Sequence, residues 1–348
     1  MTRRSMRPIT FFCLAVAGLW AALSSGGCSD GQAKAHTPGK NDDHANVSQP
    51  AAPKPDCEDQ EAAAKFSDIL TGYQALNARL DEVSARLQIA NAPLCPVTIR
   101  HPGYNVHTLA DYPQELQTAA QAFLRVGEGL SIRSVRPGSP AAAAGILPAD
   151  RLIGLDGRRF AGGDTQMQFY AQAARRAFAN PRTVLTLARP NRGGAPDILS
   201  VELSAQTLCD YPAHVVFDAA MNGHTDGRVI WITSALMRSV ADDASLALIV
   251  AHEMAHAISG HIQGRSSKEL ELQADRMALV MMARADMKTG AAIAYWTRAD
   301  MPQNQWQSAS KTHPSLSERL ANFETARTKI EAAQARGDDV DFRTVNAP

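Results

Sequence analysis

The run Ala251-His252-Glu253-Met254-Ala255-His256 places two histidines four residues apart, with a glutamate directly after the first. It lies in a proline-free stretch, 242–263, that reads as helix. Residues four apart share one face of a helix, so both imidazoles can point at a single ion. Zinc accepts such nitrogens at about 2.0–2.1 Å, and a catalytic site adds a third protein ligand while keeping one position for water. Glu253 is placed to take a proton from that water. A five-residue pattern also arises by chance, and two histidines on a solvated helix would then mean nothing. The flanks argue otherwise. Leu246, Leu248, Ile249, Val250, Ala251 and Ala255 make the helix apolar almost all round, which is the pattern of a buried helix. A buried ionisable group needs a partner, and one zinc ion per chain would supply it.

The third ligand has to come from another element. The next helical run, 267–287, holds Glu269, Glu271 and Asp275. Glu271 and Asp275 are again four apart on one face, so Glu271 completes a two-histidine, one-glutamate set and Asp275 stands behind it to orient a ligand histidine. Glu269 competes by proximity but lies about 200° round the helix from Glu271.

Several motifs occur here in one order. Asn222 is followed by Gly227 through Leu236, then His252 to His256 with His261, then Glu271 to Asp275 with Met281-Met282-Ala283-Arg284-Ala285, and finally Thr312-His313-Pro314 with Glu318-Arg319. Over residues 207–335 the chain resembles the HtpX-like and CAAX-prenyl-protease-type zinc metallopeptidases. That resemblance implies an α+β fold with a mainly helical, gluzincin-type domain. It implies an edge strand, Arg228, Val229, Ile230, Trp231, Ile232 and Thr233, that holds substrate as an added antiparallel strand. It also implies that His313 can reach the metal, as a plug or as a catalytic helper. The connection between His256 and Glu271 is shorter than in many such proteins. A metzincin is excluded, because Gly260 and His261 fall at the wrong offsets and His261 is expected on the opposite helix face from His252. An intramembrane protease is excluded because no segment near the motif has 18 apolar residues free of charge.

The positioning elements extend well upstream. Arg3, Arg4 and Arg7 precede an apolar run, 9–23, and then Ser25-Gly26-Gly27-Cys28, which resembles a bacterial lipobox. Residues 1–28 are therefore expected to be a lipoprotein signal, with Cys28 lipidated and the chain held at the outer membrane facing the periplasm. A soluble periplasmic or secreted product is the alternative. Residues 29–56 lack aromatic side chains and read as a disordered tether. Residues 57–100 should supply a helix and strand to the metallopeptidase domain. Phe66, Ile69, Tyr73, Leu76, Leu80, Val83 and Leu87 form a seam for another helix.

Residues 101–206 form a separate unit: a glycine-led strand at 127–135, Pro137-Gly138-Ser139-Pro140-Ala141 opening a short helix, and a strand ending at Asp156-Gly157. An amphipathic helix at 164–177 and two closing strands follow. This unit resembles a bacterial PDZ domain, a β-sandwich or barrel module, and the likeness puts a peptide groove between Gly129, Leu130, Ser131, Ile132 and the 164–177 helix. An inserted module leaves its host near where it enters, so Cys95 and Cys209, which flank it, come within disulfide range. Residues 315–335 read as a final helix and 336–348 as a flexible tail.

Lys+Arg and Asp+Glu are equal at 35 each, so no net field favours nucleic acid. The expected partners are polypeptides and a membrane. The expected function is zinc-dependent cleavage of unfolded or misassembled envelope proteins. The alternatives are a non-enzymatic envelope chaperone that binds clients through the PDZ module and the cleft, and an inactive protein whose zinc is closed by a fourth ligand.

Overall fold

One long helix, α1 (Cys57–Ala90), serves two hydrophobic cores in the computed structural model, which describes residues 57–160, 166–191, 193–261, 267–295, 297 and 313–346. The expected signal, Cys28 and the tether lie outside the described residues. Leu80, Val83 and Leu87 join the main helical core, while Phe66, Leu70 and Tyr73 pack with Tyr112, Leu116 and Val126. The seam differs from expectation at one position. Leu70 is fully buried and Ile69 is 48% exposed, because the second core approaches α1 from the next position round the helix.

The chain leaves the helical domain along β1 (Thr98–His101) and returns along β8 (Gln206–Cys209), which pair antiparallel. Cys95 and Cys209 form a disulfide at the base of this ribbon, with Cα atoms 5.6 Å apart. Between these strands lie β2 (Tyr104–His107), α2 (Gln114–Leu124), β3 (Ser131–Val135), α3 (Pro140–Ala143), β4 (Arg151–Leu155), β5 (Arg158–Arg159), α4 (Gln166–Ala177), β6 (Thr183–Arg189) and β7 (Asp197–Leu203). They form an antiparallel sheet in the order β2-β3-β4-β6-β7, with β5 against β4. Tyr104, Ile132, Leu152, Phe178, Leu185 and Leu187 fill its core. Asp156 and Gly157 both adopt positive φ, as the tight turn between β4 and β5 requires. The expected peptide groove needs correction here. β3 has β2 on one side and β4 on the other, and Leu130, Ser131 and Ile132 are buried. The stretch Gly129, Leu130, Ser131, Ile132 therefore presents no open edge, and the outer edge belongs to β2.

After β8 come β9 (Ala213–Val216), β10 (Gly223–Thr225), β11 (Ile230–Thr233) and the helices α5 (Ser234–Ser239), α6 (Asp243–Ser259), α7 (Lys268–Arg284), α8 (Thr289–Tyr295), α9 (Leu316–Arg336) and α10 (Phe342–Asn346). The three strands pair in the order β10-β11-β9, antiparallel and then parallel. This corrects a second expectation. The segment Arg228, Val229, Ile230, Trp231, Ile232 and Thr233 is no edge, because its strand is central and both its sides carry partners; Gly223–Thr225 is an outer strand. The tail is corrected too, since Val340 and Val345 are buried in the main core and α10 closes over α7 and α9. No described helix is long and apolar enough to cross a membrane.

Candidate metal centre

The centre is built on α6, and local chemistry sets where that helix starts and stops. Asp242 caps its N-terminus by accepting from the Ser245 amide at 2.8 Å and the Ser245 hydroxyl at 2.7 Å. Gly260, at φ +66°, ends it, a left-handed turn that glycine adopts at no steric cost. Twelve of its seventeen residues are buried, His252 and Glu253 among them. α7, capped by Ser267, lies alongside, and its buried face carries Glu271 and Asp275.

Three donor atoms converge between these helices. His252 Nε2 lies 3.1 Å from His256 Nε2 and 3.4 Å from Glu271 Oε2, and His256 Nε2 lies 3.6 Å from Glu271 Oε1. Ligand atoms held tetrahedrally at about 2.0–2.1 Å from one zinc stand about 3.3–3.4 Å apart. The observed triangle has that size, and its donor set of two imidazoles and a carboxylate suits zinc. Among the described residues these are the one His/Cys/Asp/Glu group close enough to share an ion. Glu253, next in chain to His252, is 8% exposed.

Each ligand histidine is held from behind. His252 Nδ1 is 2.9 Å from Asp275 Oδ1, a bond that leaves Nε2 to face the ligand cluster. Asp275 is in turn gripped by Arg319 of α9, whose Nε donates to Oδ2 at 2.8 Å and whose Nη2 donates to Oδ1. Both side chains are buried, at 0% and 2% exposure. Burial opposes the Asp275 carboxylate, but the Arg319 charge and the His252 bond outweigh it and hold its pKa below the usual range. Burial likewise works against the His252 imidazolium, yet bonds to Asp275 and Glu271 push it up to about 9. A metal bound there would displace that proton, since a ligand imidazole must be neutral. For Glu271 too, burial is overcome by the two histidines, and its carboxyl stays well below the ordinary value. His256 Nδ1 lies 3.0 Å from His261 Nδ1. This position differs from the opposite-face expectation, because the helix has already ended at Ser259 and the turn at Gly260 brings His261 back. Burial and then the nearby His256 lower the His261 pKa, and with His256 Nε2 turned to the ligand cluster, its Nδ1 is the nitrogen left to face His261.

His313 is exposed on the turn before α9, two residues ahead of the helix cap Ser315. The structure thus brings together His252, His256, Glu271 and Asp275, with Glu253 buried next in chain to His252. Arg319 was not among the predicted site residues. Its signal is visible in hindsight, since it stands in line with the buried Phe323, Ala326, Ile330 and Ala333 of α9, a lone cation in an apolar stripe.

Residues 131–189 match the family model of the PDZ domain, and residues 206–269 and 262–327 match that of peptidase family M48. No curated protein matches the chain. Among solved structures, an HtrA-type protease, AlgW with a decapeptide, aligns at 24% identity and a TM-score of 0.22, over 32% of this chain and 30% of that one. So low a score bears no argument, and the chain spans less than a third of that protein. The PDZ match falls within the segment between β1 and β8, and the M48 matches run from β8 into α9, so the chain carries a peptidase family M48 domain with a PDZ domain set into it.

Proposed function

We propose that this chain is a zinc-dependent endopeptidase of the bacterial envelope that cleaves unfolded or misassembled polypeptides. The observation that carries this reading is the triangle of His252, His256 and Glu271, with Glu253 beside it on α6. Zinc held there would polarise a peptide carbonyl and lower the pKa of a bound water toward about 7. Glu253 would act as the base, accepting a proton from the attacking water and passing it to the departing amide nitrogen. Asp275, fixed by Arg319, keeps the His252 ring turned so that Nε2 faces the ligand cluster. His261 does the same for His256. The strand Gly223–Thr225, which lies against Ile249 of α6, offers its outer edge to an extended substrate.

His313 enters the reading as a residue that plugs the resting site or assists the oxyanion. It sits on the turn that leads into α9, and Arg319 follows Ser315 by one helical turn, about 6 Å along the axis. The envelope location rests on the Arg-rich start and Cys28. The experiment is digestion of casein by the parent protein beside Glu253→Gln. Equal cleavage by both removes Glu253 as the base and with it the proposed mechanism.

A further inference from the structure

Three polar groups that the metal centre does not use lie on the face of the PDZ sheet turned toward α1. His107 of β2 and Ser131 of β3 stand opposite each other in their antiparallel pair, at 3% and 1% exposure. Side chains so opposed have Cβ atoms about 4.5–5.5 Å apart. Leu130 and Ile132 fill the core of the module, so Ser131 between them faces the other way. The register of the pair shifts after Asn105 and passes over Arg133, and a bulge of this kind re-aims side chains. Arg133 comes within 3.5 Å of Asp81 on α1, and the Ser134 hydroxyl donates to the same carboxylate at 2.8 Å. Among the described residues, His107 Nε2, the Ser131 hydroxyl and Arg133 Nε are buried and meet no partner. Buried polar groups are nearly always hydrogen-bonded, so three orphans on one face call for a common partner.

We propose that His107, Ser131 and Arg133 together bind one small inorganic anion of the halide class, which fastens the PDZ sheet to α1. The tautomer of His107 follows from its neighbours. Gln74 of α1 donates to the Tyr112 hydroxyl oxygen at 2.7 Å, so the hydrogen of that hydroxyl goes to His107 Nδ1 at 2.6 Å. Burial, with the Arg133 charge adding to it, pushes the ring's pKa down to about 3, so the ring is neutral and carries its proton on Nε2. All three groups then offer a hydrogen. A water meets them poorly, because it has two lone pairs and brings two hydrogens that need acceptors of their own. The one certain acceptor among the unpartnered buried side-chain atoms, Asn91 Oδ1, belongs to a residue bonded to Leu87 and Met281 in the main core. A halide accepts from several donors and brings none. The charges agree with this. Two guanidinium groups, of Arg133 and Arg136, act on the single carboxylate of Asp81, whose pKa burial raises. The anion would also close a circuit. It runs from Gln74 through Tyr112 and His107 to the ion, then through Arg133 to Asp81, and both ends lie on one face of α1, two turns apart.

Chloride is the probe in solution and bromide, its heavier homologue, the probe in the crystal. Thermal unfolding of the whole protein at fixed sodium should show a midpoint about 2–3 °C higher in about 100 mM chloride than in gluconate, the shift for an ion several-fold above its Kd. Ser131→Ala and Arg133→Met should each lose this difference between the two salts, whatever they do to the midpoint itself. In crystals of the parent soaked in bromide, an anomalous peak should stand within hydrogen-bond reach of His107 Nε2, Ser131 Oγ and Arg133 Nε. Equal midpoints in chloride and gluconate, or a difference that survives both substitutions together, would overturn the site. So would an oxygen with no anomalous signal at that position, which makes the partner a water, and so would a bromide peak without a midpoint shift, which is binding at crystal concentration only. The two measurements on the parent decide the matter even where the variants fail to fold.

Discussion

Replacing Arg319 by methionine should leave a carboxylate buried without its main partner. Asp275 is fully buried, and its oxygens are held by Arg319 and His252 alone in the described contacts. Once the guanidinium is gone, the side chain keeps its charge in a poorly solvated site or takes up a proton. The second route sets a ceiling. Protonating a carboxyl three pH units above its ordinary value costs about 1.4 kcal/mol per unit, so about 4 kcal/mol at pH 7 and about 1.5 kcal/mol at pH 5. His252 still donates to Asp275, which places the expected loss at about 3 kcal/mol at pH 7, the low end for breaking a buried pair. The sign follows from linkage. In the parent, the Asp275 pKa is depressed, so its stabilisation is fully present above the unfolded value of 3.8 and disappears as pH falls through the lower folded value. In the variant the folded pKa is raised, so folding takes up a proton and the deficit grows as pH rises. Urea unfolding of parent, Arg319→Met, Asp275→Asn and the double variant at pH 5 and 7 measures this. The double should recover most of the loss, since no buried charge is left behind. A single-variant deficit under 1 kcal/mol, a deficit unchanged between the two pH values, or a double no better than the single would refute the reasoning.

Three further outcomes are expected. His313→Ala should raise cleavage of an unfolded substrate if the residue plugs the resting site and lower it about 10²–10³-fold if it assists the oxyanion; an unchanged steady-state rate removes both roles. Intact mass of the membrane fraction should show an acylated cysteine at 28, and a mature chain starting elsewhere contradicts the lipobox reading. Replacing Cys95 and Cys209 by serine should lower stability by up to about 4–5 kcal/mol, the chain-entropy value for so long a loop; a loss below 1 kcal/mol in calorimetry would show that the β1–β8 ribbon holds the module base unaided.

What was legible in the chain was local. The i, i+4 spacings of His252 and His256 and of Glu271 and Asp275 fix which side chains share a face wherever a helix forms, and helix caps at Asp242 and Ser267 mark where those helices begin. The end of α6 was legible as well, because a glycine after the last periodic residue is a C-terminal signal, and reading through Gly260 put His261 on the wrong side. Strand partnership was a different matter. Whether Ile230–Thr233 is an edge depends on β9 joining it in parallel, a pairing that leaves no mark in either segment. The same holds for β3, whose partner β2 is four residues long, follows Pro102-Gly103 and carries a register shift. The buried Arg319–Asp275 pair spans 44 residues, so the arginine could be seen as out of place in its stripe while its partner could not. Val340, Phe342 and Val345 were apolar residues in a segment read as tail, and the core they complete is formed by helices far upstream.

The central claim, one zinc held by His252, His256 and Glu271 with Glu253 as the base, is tested most directly by measuring zinc content and casein cleavage on the same preparations of three proteins. Parent protein should carry about one zinc per chain and cleave. Glu253→Gln should carry the same zinc and not cleave, since it removes the base and no ligand. Glu271→Ala should be depleted of zinc and inactive. A metal-free Glu253→Gln, a fully loaded Glu271→Ala, or cleavage that survives either substitution would contradict the account.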